Sequence, residues 1–369
     1  MKKIVTFLLC VVFSITVFAN GGEPVDLKKN FITGSPEVAS VNAMAFGPQG
    51  ILFIGDSKNA MVFAIDTGDE MTGSSSDDLR MEQFDQALAA ALGTTVDNIV
   101  IQDLAVNPLS KKVYVAVHHV DGSPALLVME GTSFLPVKLE NIKYSFTSVN
   151  NAVGEDAKDG RGRPLRGWAI SDLSYFDGQV LLTGLSNAEF SSTFRSIAFP
   201  FNKKQDHASL EIYHAAHGRY ETESPVKTFT ATTLGGKPYL VASYTCTPLV
   251  LFPMDELKAG KHVKGRTVAE LGNRNTPLDM ISYERDGKSY LLLANSSRAM
   301  MRIGYDELMS FTESLSTPVE GSGTAGIDFI NLPYVSIQQL DAYDDERVVV
   351  LQRKGNGNLD LETVSLDKL

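Results

Sequence analysis

The sequence predicts an all-β fold, a six-bladed β-propeller, and three observations carry that prediction. A shift of 51 residues lays K-T-F-T-A-T-T-L-G-G-K-P-Y-L-V-A-S-Y-T-C-T-P-L-V-L-F-P-M-D-E-L (227–257) over L-D-M-I-S-Y-E-R-D-G-K-S-Y-L-L-L-A-N-S-S-R-A-M-M-R-I-G-Y-D-E-L (278–308) without a gap. Gly236 meets Gly287, Lys237 meets Lys288 and Tyr239 meets Tyr290, while Asp255-Glu256-Leu257 recurs as Asp306-Glu307-Leu308. Second, a β-rich strand followed by a polar loop recurs six times, at spacings of about 50 to 70 residues. Third, no βαβ alternation runs through the chain. Repeats of this length built from strands alone indicate propeller blades.

Taken in order, the recurring strands read I-L-F-I-G-D-S-K-N from Ile51, V-Y-V-A-V-H-H-V-D from Val113 and V-L-L-T-G-L-S-N-A from Val180. Y-L-V-A-S-Y-T-C-T from Tyr239, Y-L-L-L-A-N-S-S-R from Tyr290 and V-V-V-L-Q-R-K-G-N from Val348 complete the set. Each opens with an apolar run suited to a strand covered on both faces. Most follow turn-forming residues: G-P-Q-G, N-P-L-S, F-D-G and R-D-G. The sixth blade lacks an outer strand, and V-D-L-K-K-N-F-I-T (25–33) is the expected N-terminal strand that closes it and removes the free edge. The stretch F-D-Q-A-L-A-A-A-L-G (84–93) is rich in helix formers and ends on Gly93, which predicts one short helical insertion between blades one and two.

Ahead of the propeller, Lys2 and Lys3 precede an apolar run from Ile4 to Phe18 and a V-x-A site ending at Ala19. This predicts a signal peptide over residues 1–19, a single propeller domain over 20–369, and a periplasmic or secreted protein. The run is short for a membrane-spanning helix, which needs roughly 18 or more apolar residues. Removal of the signal also removes Cys10, so Cys246 is left without a partner and the fold must hold by its core. The formal charge of −11 becomes −13 once Lys2 and Lys3 are gone. Such a field repels polyanions, so no nucleic-acid partner is expected. A monomer is expected, with a small-molecule ligand or a protein as partner.

With these repeats the chain resembles the secreted bacterial β-propellers of the broad YVTN/NHL type, over nearly all of the sequence after residue 19. That resemblance implies the fold. It leaves function open, because such propellers include binding proteins, lactonases and quinone dehydrogenases, and none of those catalytic signatures stands in this sequence.

Propeller topology places the start of each innermost strand and the loop after each second strand on one face of the channel. The loops are expected to deliver Asp56, His118, His119, Asn187, Cys246, Asn295 and Arg298, and the strand starts Asp103, Asp172 and Asp279. His118 and His119 alternate across a strand end, so one at most faces the channel. The insertion N-N-A-V-G-E-D-A-K-D-G-R-G-R-P-L-R-G-W (150–168) is long for a connection and offers Arg161, Arg163 and Arg166 as a lid able to fork onto an anion. The stretch E-I-Y-H-A-A-H-G-R-Y-E-T-E-S-P (211–225) holds His214, His217, Arg219 and Glu221. On a helical turn the two histidines share a face and, with Glu221 or Asp172, ligate a divalent metal; on an extended strand their rings part.

Each candidate also has a plain structural role. The aspartates accept backbone N–H bonds where blades meet, the arginines decorate a solvated loop, and Cys246 fills space as a small apolar residue. Its aligned partners, Lys58, Val120, Asn187, Ser297 and Gly355, show no rule that demands cysteine. Three functions remain open: binding of a small polar or anionic ligand in the central funnel, a metal- or quinone-dependent hydrolase, lactonase or dehydrogenase on the same face, and a protein-interaction scaffold.

Overall fold

The computed structural model describes residues 26–73, 78–320 and 323–369. The expected signal peptide, residues 1–19, lies outside them. Six sheets, antiparallel but for one strand at the outer edge of the third, surround one channel, each begun by an inner strand: Ala43–Phe46, Ile99–Val106, Asp172–Phe176, Val226–Leu234, Pro277–Arg285 and Ile337–Ala342. The second strands, Ile51–Asp56, Val113–His119, Gln179–Leu185, Lys237–Tyr244, Lys288–Asn295 and Arg347–Arg353, fall on the six apolar runs of the sequence. The 51-residue repeat holds at the level of register, because Thr232 pairs with Tyr239 as Tyr283 pairs with Tyr290. The matched glycines, Gly236 (φ 79°) and Gly287 (φ 70°), both sit in the left-handed region that their hairpin turns require.

The blades do not follow the chain around the ring. Inner strands adjoin in the order one, three, four, five, six, two and back to one. Six buried apolar clusters fill the six seams in the same order. Phe53 and Ile170 lie between one and three, Phe194 and Leu240 between three and four, and Val241 and Leu291 between four and five. Leu292 and Val350 lie between five and six, Val115 and Leu351 between six and two, and Leu52 and Tyr114 between two and one.

This order follows from how the chain leaves blade one. After its third strand, Met61–Asp66, it crosses to blade six and adds Arg80–Met81 to that blade's edge. It then builds blade two and returns to blade one as Ile142–Ser148. The last blade is therefore closed by Arg80–Met81 and not by the N-terminal segment expected to do so. That segment forms Ile32–Gly34 at the outer edge of blade one, paired with Ile142–Ser148. Lys28, bonded to Asp66 at 2.9 Å, and Phe31, packed edge-on against Phe199, hold it there.

The expected helix is present as Phe84–Ala91. Its buried face, Phe84 and Leu88, packs over the seam of blades six and two, with Phe84 edge-on to Phe134. A second helix, Tyr305–Ser310, follows the third strand of blade five. No helix among the described residues is long and apolar enough to cross a membrane.

Candidate functional site

The channel is the first place to look for the predicted site, and its waist is acidic. Asp172, Asp279 and Asp103 stand at equivalent positions of blades three, five and two, so they alternate around the ring. Each accepts its own following amide on Oδ1, from Leu173, Met280 and Leu104 at 2.8 Å. With Oδ2 each reaches the next blade, accepting from Phe229 (2.9 Å), Leu340 (2.8 Å) and Met44 (2.6 Å). Asp341 repeats the device one layer along, accepting from Val106 at 2.8 Å. These aspartates are bolts between blades.

Burial away from water raises Asp279 to about 6, and burial with added repulsion from Asp279 raises Asp172 and Asp341 to about 7 and Asp103 well above the ordinary range. With its amide nitrogen turned to the channel, Gln339 donates to Asp279 at 3.1 Å and to Asp103 at 3.2 Å. The cavity beside the waist, about 350 Å³, takes all four aspartates into its wall, along with Phe46, Tyr175 and Phe229.

The remaining funnel candidates are held by local partners. His118 accepts from Val41 N at 3.0 Å across the seam of blades two and one, and burial, followed by Lys58, lowers its pKa. Asn295 is buried within blade five, bonded to Asn275 (2.7 Å) and to the carbonyl of Ala299 (3.0 Å). Arg298 donates to the carbonyl of Asn273 at 3.3 Å and lies over Gly272. Asn187 is exposed. In the long insertion, Arg163 pairs with Asp159 at 2.6 Å, and Arg166 donates to the carbonyls of Val153 (2.6 Å) and Lys58 (2.9 Å). Arg166 thus pins the insertion to blade one, with its forked face already occupied.

The chemistry gathers instead at the seam of blades three and four. His214 ends the strand Gln205–His214; residues 215–218 turn, with Gly218 at φ 65°, and Arg219–Glu221 pairs back along it. His214 lies opposite Arg219 and Ile212 opposite Glu221, so the period of two puts His214, Arg219 and Glu221 on one face. The turn lets His217 fold over that face, and the two imidazoles lie 3.8 Å apart, centre to centre. The sequence allowed a helix that joins the rings or a strand that parts them. A hairpin turn joins them.

Glu221, expected as a metal ligand, has another place. Its Oε2 contacts His214 Nδ1 at 3.0 Å and accepts from Ser224 at 2.5 Å, and its Oε1 contacts His217 Nδ1 at 2.6 Å and accepts from Arg219 at 3.2 Å. Both oxygens are used in orienting the rings, which leaves each imidazole its Nε2. Cys246 arrives from blade four, in the tight loop between Lys237–Tyr244 and Pro248–Pro253. One donor atom each from His214, His217 and Cys246 lie within 4.8 Å of one another, the cluster of this kind among the described residues. Cys246 thus belongs with the histidines and not with the channel.

Two residues without a mark in the sequence complete the surroundings. Thr247 lies 3.4 Å from His214 Nε2 and donates to Glu270. Glu270, 1% exposed, also accepts from Ala216 N at 3.1 Å, so one carboxylate ties the histidine turn to the cysteine loop. An acidic residue ending the buried strand R-T-V-A-E was the available signal.

The electrostatics agree with the geometry. The bond from His214 holds the Cys246 thiol below its ordinary pKa. Burial acts to lower His214, but its bonds to Cys246 and Glu221 win and raise it to about 9. Burial acts to raise Glu221, and its bonds from His214, Ser224 and His217 overcome this and hold it well below the carboxylate range. His214 is buried, whereas the His217 side chain is 48% exposed, so the centre has one wet side.

A second chain of polar groups runs along blade three's rim. Ser209 meets His262 Nδ1 at 2.8 Å, and His262 Nε2 meets Glu211 at 2.9 Å. Lys264 also pairs with Glu211, at 2.8 Å, and Phe190 covers the imidazole at 4.3 Å. The chain latches the parallel strand His262–Lys264 onto blade three.

No protein-family model matches the chain, and no curated protein matches its sequence. Among solved structures it is similar to a chain of the mitotic checkpoint complex, at TM-score 0.40 and 11% identity over 99% of both chains. The plexin A4 extracellular region is similar at TM-score 0.40 and 7% identity, over 91% of this chain and 40% of that one. A Thermus thermophilus chain assigned as an oxidoreductase (glucose dehydrogenase) matches at TM-score 0.35 and 11% identity, over 90% of this chain and 100% of its own. Likeness at this level carries no argument about what the chain does.

Proposed function

We propose that this β-propeller is a metal-binding protein whose centre is His214, His217 and Cys246, at the seam of blades three and four. The observation that carries the reading is the convergence of the three donors within 4.8 Å, with both imidazoles oriented through Nδ1 by the single buried carboxylate of Glu221. A carboxylate behind each ligating imidazole is how metal sites fix tautomer and ring orientation. Two imidazoles and a thiolate suit zinc or copper and not the oxygen-seeking calcium or magnesium. Three protein donors with a wet side leave a position for a small ligand. The channel supports an anionic ligand poorly, because its waist is lined by carboxylates.

Titration of the chelator-stripped full chain with zinc, read by competition with a chromophoric chelator, tests the proposal. One equivalent should bind, and His217→Ala and Cys246→Ser should abolish it while melting cooperatively. Full binding by both variants would refute it. A second reading has one observation in its favour: His214 has a donor atom within 4.8 Å of the Cys246 sulfur and contacts Glu221 through Nδ1, the order of nucleophile, base and orienting acid. A stripped protein that takes up no metal but is stoichiometrically acylated at Cys246 by an activated ester would favour that reading.

A further inference from the structure

The rim of blade three carries a second reactive arrangement, independent of the metal centre. The strand His262–Lys264 runs parallel to Gln205–His214, with Ser209 opposite His262 and Glu211 opposite Lys264, so the period of two puts all four side chains on one face. There the His262 ring joins Ser209 to Glu211, with Nδ1 at 2.8 Å from the hydroxyl and Nε2 at 2.9 Å from the carboxylate. We propose that Ser209 is a nucleophile that accepts an acyl group from aryl esters, with His262 as its base and Glu211 as the carboxylate that orients the ring.

The tautomer follows from the partners. Burial acts to raise Glu211, but its bonds from Lys264 and His262 overcome this and hold it below the ordinary carboxylate range. An ionised carboxylate only accepts, so the hydrogen of the neutral ring sits on Nε2, and the Nδ1 lone pair faces a serine hydroxyl that must donate. A serine hydroxyl bonded to an oriented base is an activated nucleophile. Solvent reaches it, because Ser209 is half-buried and the His262 side chain is 33% exposed. Phe190, itself part-exposed, lies 4.3 Å from the imidazole, ring centre to ring centre, and offers an aryl leaving group an apolar wall.

In the reaction Ser209 Oγ attacks the ester carbonyl and its proton passes to His262 Nδ1. The bond from the carbonyl carbon to the aryl oxygen breaks, and the phenolate leaves with that proton. Acyl-Ser209 and a phenol result, with no other reactant. Ser209 N is bonded to the Lys261 carbonyl at 2.9 Å, so it lends the oxyanion no donor and the acyl-serine accumulates instead of turning over.

The test incubates the full chain with p-nitrophenyl acetate and locates acetyl groups by peptide mass mapping. Ser209 should react about 100-fold or more faster than any other serine of the same molecule, the scale of general-base assistance, and His262→Gln should remove that advantage. Should His262→Gln fail to melt cooperatively, Glu211→Gln, which keeps the imidazole, carries the comparison and should react at least tenfold slower than wild type. An unmodified Ser209 in the folded wild type, or a Ser209 adduct formed as fast in the folded variant, overturns the proposal. Neither result bears on zinc uptake by His214, His217 and Cys246.

Discussion

Replacing Glu221 by glutamine tests the arrangement behind the metal donors. Glu221 is 3% exposed and contacts two imidazole Nδ1 atoms, at 3.0 and 2.6 Å. Glutamine keeps the shape but presents one oxygen and one NH2, so one ring faces a donor where it faced an acceptor. That ring must shift its proton from Nδ1 to Nε2, and Nε2 is the atom the metal needs. Loss of such a partner typically weakens metal binding 10- to 100-fold, about 1.4 to 2.7 kcal/mol. Competition with a chromophoric chelator reads the change, with Glu223→Gln, whose side chain is 60% exposed, as the control expected within about threefold of wild type. Thermal unfolding of the stripped protein should also show Glu221→Gln destabilised by about 1–3 kcal/mol. A variant that keeps wild-type affinity and melts cooperatively would refute the role given to Glu221.

Three further outcomes follow from the fold. Asp172 and Asp341 sit at about 7 in the folded chain, against ~3.9 unfolded, so the native state holds the extra protons and stability falls as pH rises through 7, by on the order of 1 kcal/mol for each residue between about pH 6.5 and 8. Urea denaturation at the two pH values should show the fall, and Asp172→Asn should remove its share; an unchanged slope refutes the assignment. Asp341→Ala strips the amides of Val106 and Ala342 of their acceptor, so stability should drop by about 1–3 kcal/mol and Val106 should lose hydrogen-exchange protection, whereas a ring built in chain order predicts no effect of blade six on Val106. In Gly184→Ala the new Cβ would lie 2.3 Å from the carbonyl oxygen of Ala169, so the backbone must shift at a cost of about 1–3 kcal/mol; a melting temperature within error of wild type contradicts this contact.

The six blades were legible because each second strand is a continuous apolar run beside turn residues, and the Gly236/Gly287 match set register. Their order around the ring was not. A strand's pattern reports burial and says nothing of which blade lies across the seam, and the decisive element, Arg80–Met81, is two residues long. The aspartate bolts could be foreseen from D-L-A-V, D-L-S-Y and D-M-I-S, because an inward carboxylate at a strand start has backbone amides within reach. At the metal site the donors were visible and the assembly was not. His214 and Cys246 are 32 residues apart and on different blades, and the spacing of His217 fitted a helix or a strand until the hairpin decided. Glu221 was seen as a ligand because a carboxylate near two histidines offers both roles, and only the Nδ1 contacts separate them.

The most direct measurement of the central claim is the rate at which a maleimide modifies Cys246 in the native, stripped protein, before and after one equivalent of metal. The account predicts prompt labelling without metal, because Cys246 is only partly buried beside the half-exposed His217. It predicts at least tenfold protection once the metal is bound, and no protection in His217→Ala. Equal labelling with and without metal, in protein shown to hold one equivalent, would place the metal elsewhere and contradict the account.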